Sequence, residues 1–415
     1  MWLGLPGEGA LIYCVGYIIL LIRKLPGRRD EGIYMTYLTL GPMRRSRLAG
    51  LLLLGVLATP AAAQFTGQRH PDWKRLEPAE QFDEIWSEGW TGKKSGALHS
   101  LSERLRKMRR QWRVGALQSP HAWEMFGRVQ DVAIDRRGRV FVLDNEYATV
   151  RVFSAKGDFL FEVGRRGEGP GEFIYPEFLA IDSHDTLYVT DRRHGIHVFA
   201  PRDNHYQYVR TIILPRIASG GLCVSDTSII ISDRLSNRNK SLIYHIGKSG
   251  NIINQFGKGI NYDTNNPLVL SYITRNYMAC DWKHRMLIIA YRNAPIVQVY
   301  RMDGTLLKTI AIRDLELIGF IEMKSGGITF PRRRDKEAVL INVLRVAEGV
   351  FLIQYAIWQT KDFDRARPFA YLFDVVNNRK IFLNKLPVPR IMALHGNRLI
   401  ASDYDDIPHI SYYTY

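Results

Sequence analysis

Residues 132–173 read VAIDRRGRVFVLDNEYATVRVFSAKGDFLFEVGRRGEGPGEF. It holds four short apolar runs of four to seven residues: VAID, RVFVLD, TVRVF and DFLFEVG. Short runs rich in Val, Ile and Phe that roughly alternate with polar residues are typical of half-buried β-strands. Because the turn signals RRG and AKGD and the looser NEYA separate them, the stretch predicts an antiparallel meander of four strands.

The pattern recurs about 47 residues further on, at residues 179–212, where Asp191 corresponds to Asp144. Weaker copies follow at residues 222–257, 278–310, 338–384 and 390–415, and the last copy has only three strands. A four-stranded unit that repeats at intervals of about 40–50 residues is typical of a β-propeller. The sequence therefore predicts an all-β fold, a six-bladed β-propeller of four-stranded antiparallel blades.

The sixth unit lacks its outer strand, and a ring of blades must close. The apolar run WRVGALQ, Trp112–Gln118, lies just before the first unit. We expect this run to complete the sixth blade, which makes residues 112–415 one propeller domain.

Residues 43–63 have the pattern of a secretory signal peptide. Three arginines follow Met43, an apolar run spans Leu48–Ala58, and an Ala-x-Ala site at Ala61–Ala63 predicts cleavage before Gln64. We therefore expect an exported protein, either periplasmic or extracellular.

The 42 residues before Met43 contain a second apolar run, Ala10–Ile22, which is short for a membrane span. We interpret residues 1–42 as upstream sequence joined by a misassigned start. A membrane-anchored N-terminus is the alternative.

Residues 64–111 form an N-terminal arm with a short helical extension. The first part, up to residue 96, is polar and predicts an extended arm with one helical turn around PAEQFDEIW. Apolar residues at helical spacing then predict an amphipathic helix, with a stripe of Leu98, Leu101, Leu105, Met108 and Trp112. Its basic opposite face suits either a membrane surface or solvent beside the propeller, and we favour packing on the propeller.

The chain is basic, with 57 Lys and Arg against 41 Asp and Glu and a net charge of +16. Such a balance bears on partners rather than on the fold. Nucleic acid is not expected for an exported chain that lacks stacking aromatics along one groove. We expect a monomer, and membrane contact only if the N-terminal apolar run or the basic helix is retained.

The loops of a propeller divide between two faces. The a–b and c–d turns of this sequence are short, whereas the b–c loops and the connectors between blades are longer and more varied, as binding loops are. Basic side chains dominate this b–c face, which predicts an unknown ligand or protein partner, with an anionic one favoured by the arginines. The candidate binding residues are Arg165, Arg166, Arg192, Arg193, Arg234, Arg238 and Arg292.

An aspartate recurs at the end of the second strand, as Asp144, Asp191, Asp233 and Asp403. These carboxylates could form a ring of ligands, but recurrence in so many units favours acceptors for loop N–H groups. Neither Gly-x-Ser-x-Gly nor His-Glu-x-x-His occurs, and we expect no cofactor and no catalytic residues. The sequence leaves open whether Cys223 and Cys280 pair.

The runs DVAIDRRGRVFVLDN and GRRGEGPGEF, followed by YPEFLAID and LYVTD, resemble a bacterial six-bladed β-propeller family whose repeats are similar to NHL repeats. The resemblance is strongest over residues 129–200 and implies an exported propeller without implying a chemistry. Other six-bladed propellers are metal-dependent lactonases and lyases, so such an enzyme is the alternative to a binding protein. It would require three or four Asp, Asn, Glu or His side chains converging near the axis. The sequence brings only His194 and His197 close together, and this His-x-x-His pair is a weak indication.

Overall fold

The computed structural model describes residues 96–415 apart from internal gaps, together with five short strands before them. The gaps are residues 215–217, 237–239, 261–263, 265, 313–314, 316–318, 324, 330–337, 359–365, 385, 389 and 403–406. The predicted signal peptide, residues 43–63, lies outside the described residues. The chain divides into two compact units, residues 1–65 and 66–415.

The first unit contains a three-stranded antiparallel sheet. Its strands are β1 (Ala10–Val15), β2 (Ile18–Arg23) and β3 (Tyr34–Thr39). The upstream apolar run therefore folds as two strands of this sheet. Within the part of the chain that the structure describes, no helix has the length and apolar character to cross a membrane.

The second unit begins with strands β4 (Arg69–His70) and β5 (Phe82–Ile85), helix α1 (Gly96–Arg106), strand β6 (Arg109–Val114) and a 3₁₀ turn at Ala122–Glu124. Blade one follows as β7 (Val129–Ile134), β8 (Val140–Asp144), β9 (Thr149–Phe153) and β10 (Phe159–Val163). Blade two is β11 (Pro176–Ile181), β12 (Leu187–Asp191), β13 (Gly195–Arg202) and β14 (His205–Ile212). Blade three is β15 (Gly221–Val224), β16 (Ser228–Ser232), β17 (Ile243–Gly247) and β18 (Ile252–Phe256).

Helix α2 (Pro267–Ile273) leads into blade four, which is β19 (Asn276–Asp281), β20 (Met286–Tyr291), β21 (Ile296–Arg301) and β22 (Leu306–Ile312). The short strands β23 (Phe320–Glu322) and β24 (Ile328–Thr329) come next. Blade five is β25 (Ala338–Ala347), β26 (Val350–Trp358), β27 (Ala366–Asp374) and β28 (Arg379–Leu383). Blade six is β29 (Arg390–His395), β30 (Arg398–Ser402), β31 (Ile410–Thr414) and β6.

These six blades, each with four antiparallel strands, confirm the predicted six-bladed propeller. Each inner strand lies beside the inner strand of the next blade, and β29 lies beside β7, which closes the ring. The hydrophobic core lies between neighbouring blades; Phe141 and Val150 of blade one, for example, pack with Leu187 and Phe199 of blade two. The fully buried second and third strands of blade one explain its nearly continuous apolar runs.

Strand β6 supplies the fourth strand of blade six by pairing antiparallel to β31. The strand begins at Arg109, three residues earlier than the predicted run, and ends at Val114. Trp112 stacks on Tyr412 with ring centroids 5.1 Å apart. Its Nε1 donates a hydrogen bond of 3.0 Å to the carbonyl of Ala155 in blade one, so this side chain links the last blade to the first.

Helix α1 ends at Arg106, so the predicted apolar stripe is wrong in including Met108 and Trp112. The open edge of β31 recruits residues 109–114 as a strand instead, because an unpaired edge leaves backbone groups without partners. The buried side chains of Leu98, Leu101 and Leu105 pack against apolar residues of blades five and six. The helix thus packs on the propeller, which is the interpretation that we favoured.

Two segments of the arm pair with the propeller unit. Strand β5 adds to β22 in parallel, which gives the sheet of blade four a fifth strand. The helical turn predicted around PAEQFDEIW is therefore wrong at Phe82–Ile85, where the available edge of β22 prevails over local propensity. Strand β4 pairs with β23 in a separate three-stranded sheet.

Candidate functional site

A cavity of about 570 Å³ opens on the b–c face, and all six blades contribute to its wall. We call this cavity the funnel. Its polar and aromatic lining includes Asn145, Tyr175, Ser219, Asn276, Tyr277, Ser402 and His409. A volume in this range is typical of small-molecule sites.

The funnel continues into a second cavity of about 330 Å³ between the inner strands. The two cavities are parts of one central channel, because they share the lining residues Gln130, Phe178, Tyr277 and Arg390. The disulfide bond between Cys223 of β15 and Cys280 of β19 lies on the wall of the deeper cavity. This bond answers the question that the sequence left open.

Arginine dominates the charge of the funnel. Among the described lining residues, five arginines face one glutamate, which gives five minus one, or a formal charge of +4. Arg128 and Arg275 immediately precede inner strands, Arg390 begins one, and Arg192 and Arg292 follow the second strands of blades two and four. The remaining charged residue is Glu177 of β11.

Arg275 of the funnel lies close enough to two other arginines for their positive charges to act on it. Burial lowers the pKa of Arg275, and the positive charges of Arg292 and Arg234 lower it further. The backbone holds this arrangement, because the N–H of Arg292 donates a 2.7 Å hydrogen bond to the carbonyl of Arg275. The local electrostatic potential around Arg275 is therefore positive.

Glu177 is the negatively charged residue beside these arginines. Its Oε1 atom lies 2.6 Å from Nη2 of Arg192. Burial raises the pKa of Glu177, while Arg192, Arg234 and Arg275 act in the lowering direction. The second carboxylate oxygen, Oε2, is buried without a hydrogen-bond partner in the protein.

Two other polar atoms of the described wall also lack a protein partner: Oδ1 of Asn276 and Nε of Arg390, both buried. The amide nitrogen of Asn276 is satisfied, because it donates to the carbonyls of Asp233 and Thr274. A buried polar atom without a partner costs about 1–3 kcal/mol. The funnel therefore presents donors and acceptors that a polar ligand could satisfy.

Of the seven arginines predicted from the sequence, Arg192 and Arg292 line the funnel. Arg234 lies outside the wall but close enough to influence the pKa values of Glu177 and Arg275. Arg238 lies outside the described residues.

The other three predicted arginines lie elsewhere on the b–c face. Nε of Arg165 pairs with Glu172 at 2.7 Å within the connector between blades one and two. Arg166 donates a hydrogen bond to the carbonyl of Glu146, and Arg193 is exposed. None of these three belongs to the described wall of the funnel.

The sequence prediction missed Arg128, Glu177, Arg275 and Arg390, which supply most of the charge of the funnel. Their position in the sequence could have identified them, because each lies just before an inner strand or within its first two residues. Inner strands begin at the axis of a propeller, so charged residues there point to the central channel.

The recurrent aspartates that the structure describes act mainly as backbone acceptors. The carboxylate of Asp144 accepts N–H groups from Gly127, Arg128, Glu146 and Tyr147 at 2.9–3.2 Å. Such bonds join the connector to the b–c loop, which is the structural role that the repetition favours. Asp403 lies outside the described residues.

The polar residues of the inner strands also bond to the backbone. Asp131 accepts the N–H groups of Val132 and Leu179, and Asn342 accepts from Val343 and donates to the carbonyl of Ile391. Within the described residues, the two groups spaced for a metal ion lie away from the channel wall. The described wall of the channel carries arginines, and neither of these two groups lies on it.

A family model described as a 6-bladed beta-propeller matches residues 124–323, just under half of the chain. The match supports the propeller family. Its range spans blades one to four together with β23, and so extends well beyond the stretch that carries the resemblance in the sequence. The likeness to NHL repeats stays a prediction.

The fold is also similar to solved structures at low sequence identity. A protein from Bacteroides fragilis, named as an exported protein, shares 10% identity with a TM-score of 0.50, covering 80% of this chain and 99% of its own. A DUF4221-family protein from Bacteroides vulgatus shares 7% identity with a TM-score of 0.47, covering 74% and 97%. A virginiamycin B lyase from Staphylococcus aureus shares 11% identity with a TM-score of 0.41, covering 74% and 99%. A search of curated proteins gave no match.

Proposed function

We propose that this protein is an exported, non-catalytic β-propeller that binds a small anionic ligand in its funnel. The observation that carries the proposal is the excess of five arginines over one glutamate on the described wall of a 570 Å³ cavity. The planar guanidinium group pairs with carboxylates and phosphates through two parallel hydrogen bonds. The ligand class that suits this wall is therefore a compact anion.

Among anions, we favour a short acidic saccharide. Tyr175 and Tyr277 lie on the same wall as the arginines, and Tyr175 is 56% exposed. An aromatic ring can cover the apolar face of a sugar while arginines bind its carboxylates. Inorganic polyphosphate carries negative charge but has no apolar face, so binding experiments can distinguish acidic saccharides from polyphosphates.

Export is supported by two independent features. The signal pattern of residues 43–63 predicts secretion, and the disulfide bond between Cys223 and Cys280 suits an oxidising compartment. The proposed mature chain begins at Gln64 and keeps a net charge of +12, because residues 1–63 carry seven basic and three acidic side chains. N-terminal sequencing of the exported protein that found residues upstream of Met43 would contradict this start.

The binding proposal is tested by calorimetric titration with trigalacturonate, its methyl ester and tripolyphosphate. Arg275→Ala and Arg292→Ala should each weaken trigalacturonate binding about 10-fold or more, as expected for a lost charge-assisted hydrogen bond. Added salt should weaken binding to the unmodified chain, because mobile ions screen charges beyond about 10 Å at 0.1 M. The neutral methyl ester should bind much more weakly than the acid.

The matched controls are Arg137→Ala and Lys156→Ala, in short turns of blade one on the opposite face. Both residues are exposed, and neither lines the funnel. If variants on the two faces lost equal affinity for trigalacturonate, the attraction would come from the net charge of the whole protein. The funnel would then not be the binding site. Tighter binding of tripolyphosphate than of trigalacturonate would retain the anion site and overturn the choice of a saccharide.

A further inference from the structure

Blade two contains a cluster of two histidines and an aspartate outside the wall of the funnel. Asp191 ends β12, His194 lies in the loop that follows, and His197 lies in β13. One carboxylate oxygen and one nitrogen from each imidazole lie within 4.8 Å of one another. We call these three residues the histidine cluster.

Two nitrogen atoms of the histidine cluster are buried without a protein partner: Nδ1 of His194 and Nε2 of His197. The nearest carboxylate oxygen, Oδ1 of Asp191, lies 3.9 Å from Nδ1 of His194, which is too far for a hydrogen bond. His197 is only 2% exposed. Buried imidazole nitrogens normally have partners, so these two atoms are the ones that a ligand could satisfy.

The surroundings of His197 occupy one nitrogen of the ring and leave Nε2 without a protein partner. Its Nδ1 lies 3.0 Å from the hydroxyl of Thr211, and that hydroxyl lies 2.9 Å from the hydroxyl of Tyr208. When Nδ1 donates to Thr211, Nε2 carries the free lone pair. A hydrogen bond to the non-coordinating nitrogen is how proteins orient metal-binding histidines.

Asp191 supplies a negative charge that backbone hydrogen bonds hold in place. Oδ2 accepts the N–H groups of Ile174 and Tyr175, and Oδ1 accepts those of Arg193 and His194. These bonds occupy much of the capacity of the carboxylate. The two imidazoles would therefore make the principal bonds to a cation, while Asp191 balances its charge.

We propose that the histidine cluster binds one transition-metal ion of the Zn²⁺ type. Imidazole nitrogen with a carboxylate is a donor set that Zn²⁺ accepts, at bond lengths near 2.0–2.2 Å. Ligand atoms around such an ion lie about 3.3 Å apart in a tetrahedron, so atoms that now lie up to 4.8 Å apart must approach one another by up to about 1.5 Å. The partly exposed side chain of His194 lies in a loop that can provide this movement.

A second group in blade two and its neighbour, Asp182, His184 and Asp226, has similar spacing but different surroundings. The side chains of His184 and Asp226 are 74% and 51% exposed. The ammonium group of Lys248 lies 3.4 Å from Asp182, where it already provides a positive charge. This group therefore provides a matched control rather than a competing proposal.

The test is a titration of the untagged, chelator-treated full chain with Zn²⁺, using a chromophoric chelator as the competitor. We expect one ion per chain. His194→Gln should weaken Zn²⁺ binding at least about 100-fold, whereas His184→Gln should leave it unchanged. Thr211→Val keeps the shape of the side chain but removes the orienting hydroxyl, and should weaken binding about 10–100-fold.

Cobalt substitution provides a second readout. Co²⁺ bound to the unmodified chain should give a visible absorption spectrum that His194→Gln removes, while circular dichroism shows that the variant is folded. A loss of binding in His184→Gln but not in His194→Gln would overturn the assignment, as would the absence of stoichiometric binding. Trigalacturonate affinity reports separately on the funnel, so failure of this proposal leaves the proposed function to its own test.

Discussion

Oδ2 of Asp131 accepts a 2.9 Å hydrogen bond from the backbone N–H of Leu179, which joins the inner strands of blades one and two. Its other oxygen, Oδ1, accepts from the N–H of Val132 at 2.9 Å. Burial raises the pKa of Asp131 to about 6, although both hydrogen bonds and the charge of Arg390 act in the lowering direction. Asp131 therefore makes stability depend on pH.

We predict that Asp131 contributes most to stability in acid. A folded pKa of about 6 against an ordinary value of 3.8 means that the folded chain holds this proton more tightly. The contribution is complete below pH 3.8 and is lost as the pH rises through about 6, by up to about 3 kcal/mol. Urea unfolding should show the stability of the unmodified chain falling relative to Asp131→Asn by that amount between pH 4 and pH 7.

Asn342→Ala is the control for this prediction. Asn342 joins blades five and six by donating to the carbonyl of Ile391 and accepts the N–H of Val343 in its own strand, but it does not titrate. Its variant should be less stable by an amount that stays constant with pH. A difference between the unmodified chain and Asp131→Asn that is equally flat would contradict the raised pKa.

A second prediction concerns the closure of the ring by Trp112. Trp112→Ala removes the stacking on Tyr412 and the hydrogen bond to Ala155, and should lower the free energy of unfolding by about 2–4 kcal/mol. Trp112→Phe keeps the ring contact and loses only the hydrogen bond, a loss of about 1 kcal/mol. Denaturant titration measures both. If Trp112→Ala matched the exposed variant Arg137→Ala in stability, this closure contact would be energetically unimportant.

The blades could be predicted from the sequence because each is a local unit. Alternating apolar runs and tight turns, such as those around Gly138 and Gly157, specify a hairpin within a few residues, and both glycines have positive φ angles. Repetition then defines the ring. The ending of helix α1 at Arg106 could not be predicted in this way, because the edge that captures Arg109–Val114 belongs to the opposite end of the chain.

The funnel was harder to predict than the blades because its residues meet only after the ring closes. Arg128, Arg275 and Arg390 are separated by more than 100 residues from one to the next, yet they line one cavity. Register shifts in β7 and β29 also alter which inner-strand residues face the axis. Loop charge alone selected Arg165 and Arg166, which instead have partners in the first connector and b–c loop.

The disulfide bond provides the third prediction. Cys223 and Cys280 occupy the inner strands of adjacent blades, with a sequence separation of 57 and Cα atoms 6.1 Å apart. A covalent closure of that length restricts the unfolded chain and is worth about 4 kcal/mol by chain entropy. Replacing both residues with Ala should therefore lower Tm by about 5 °C for a domain of this size.

Thermal unfolding with and without a reductant separates the bond from the change of side chains. Reductant should lower the Tm of the unmodified chain to near that of the Cys223→Ala, Cys280→Ala variant, and should leave the variant unaffected. Both cysteines are 8% exposed, so reduction under native conditions should be slow and become complete only with partial denaturation. A variant that kept the original Tm would mean that the packing of blades three and four already restricts these strands, since a cross-link stabilises only by removing freedom that the unfolded chain has.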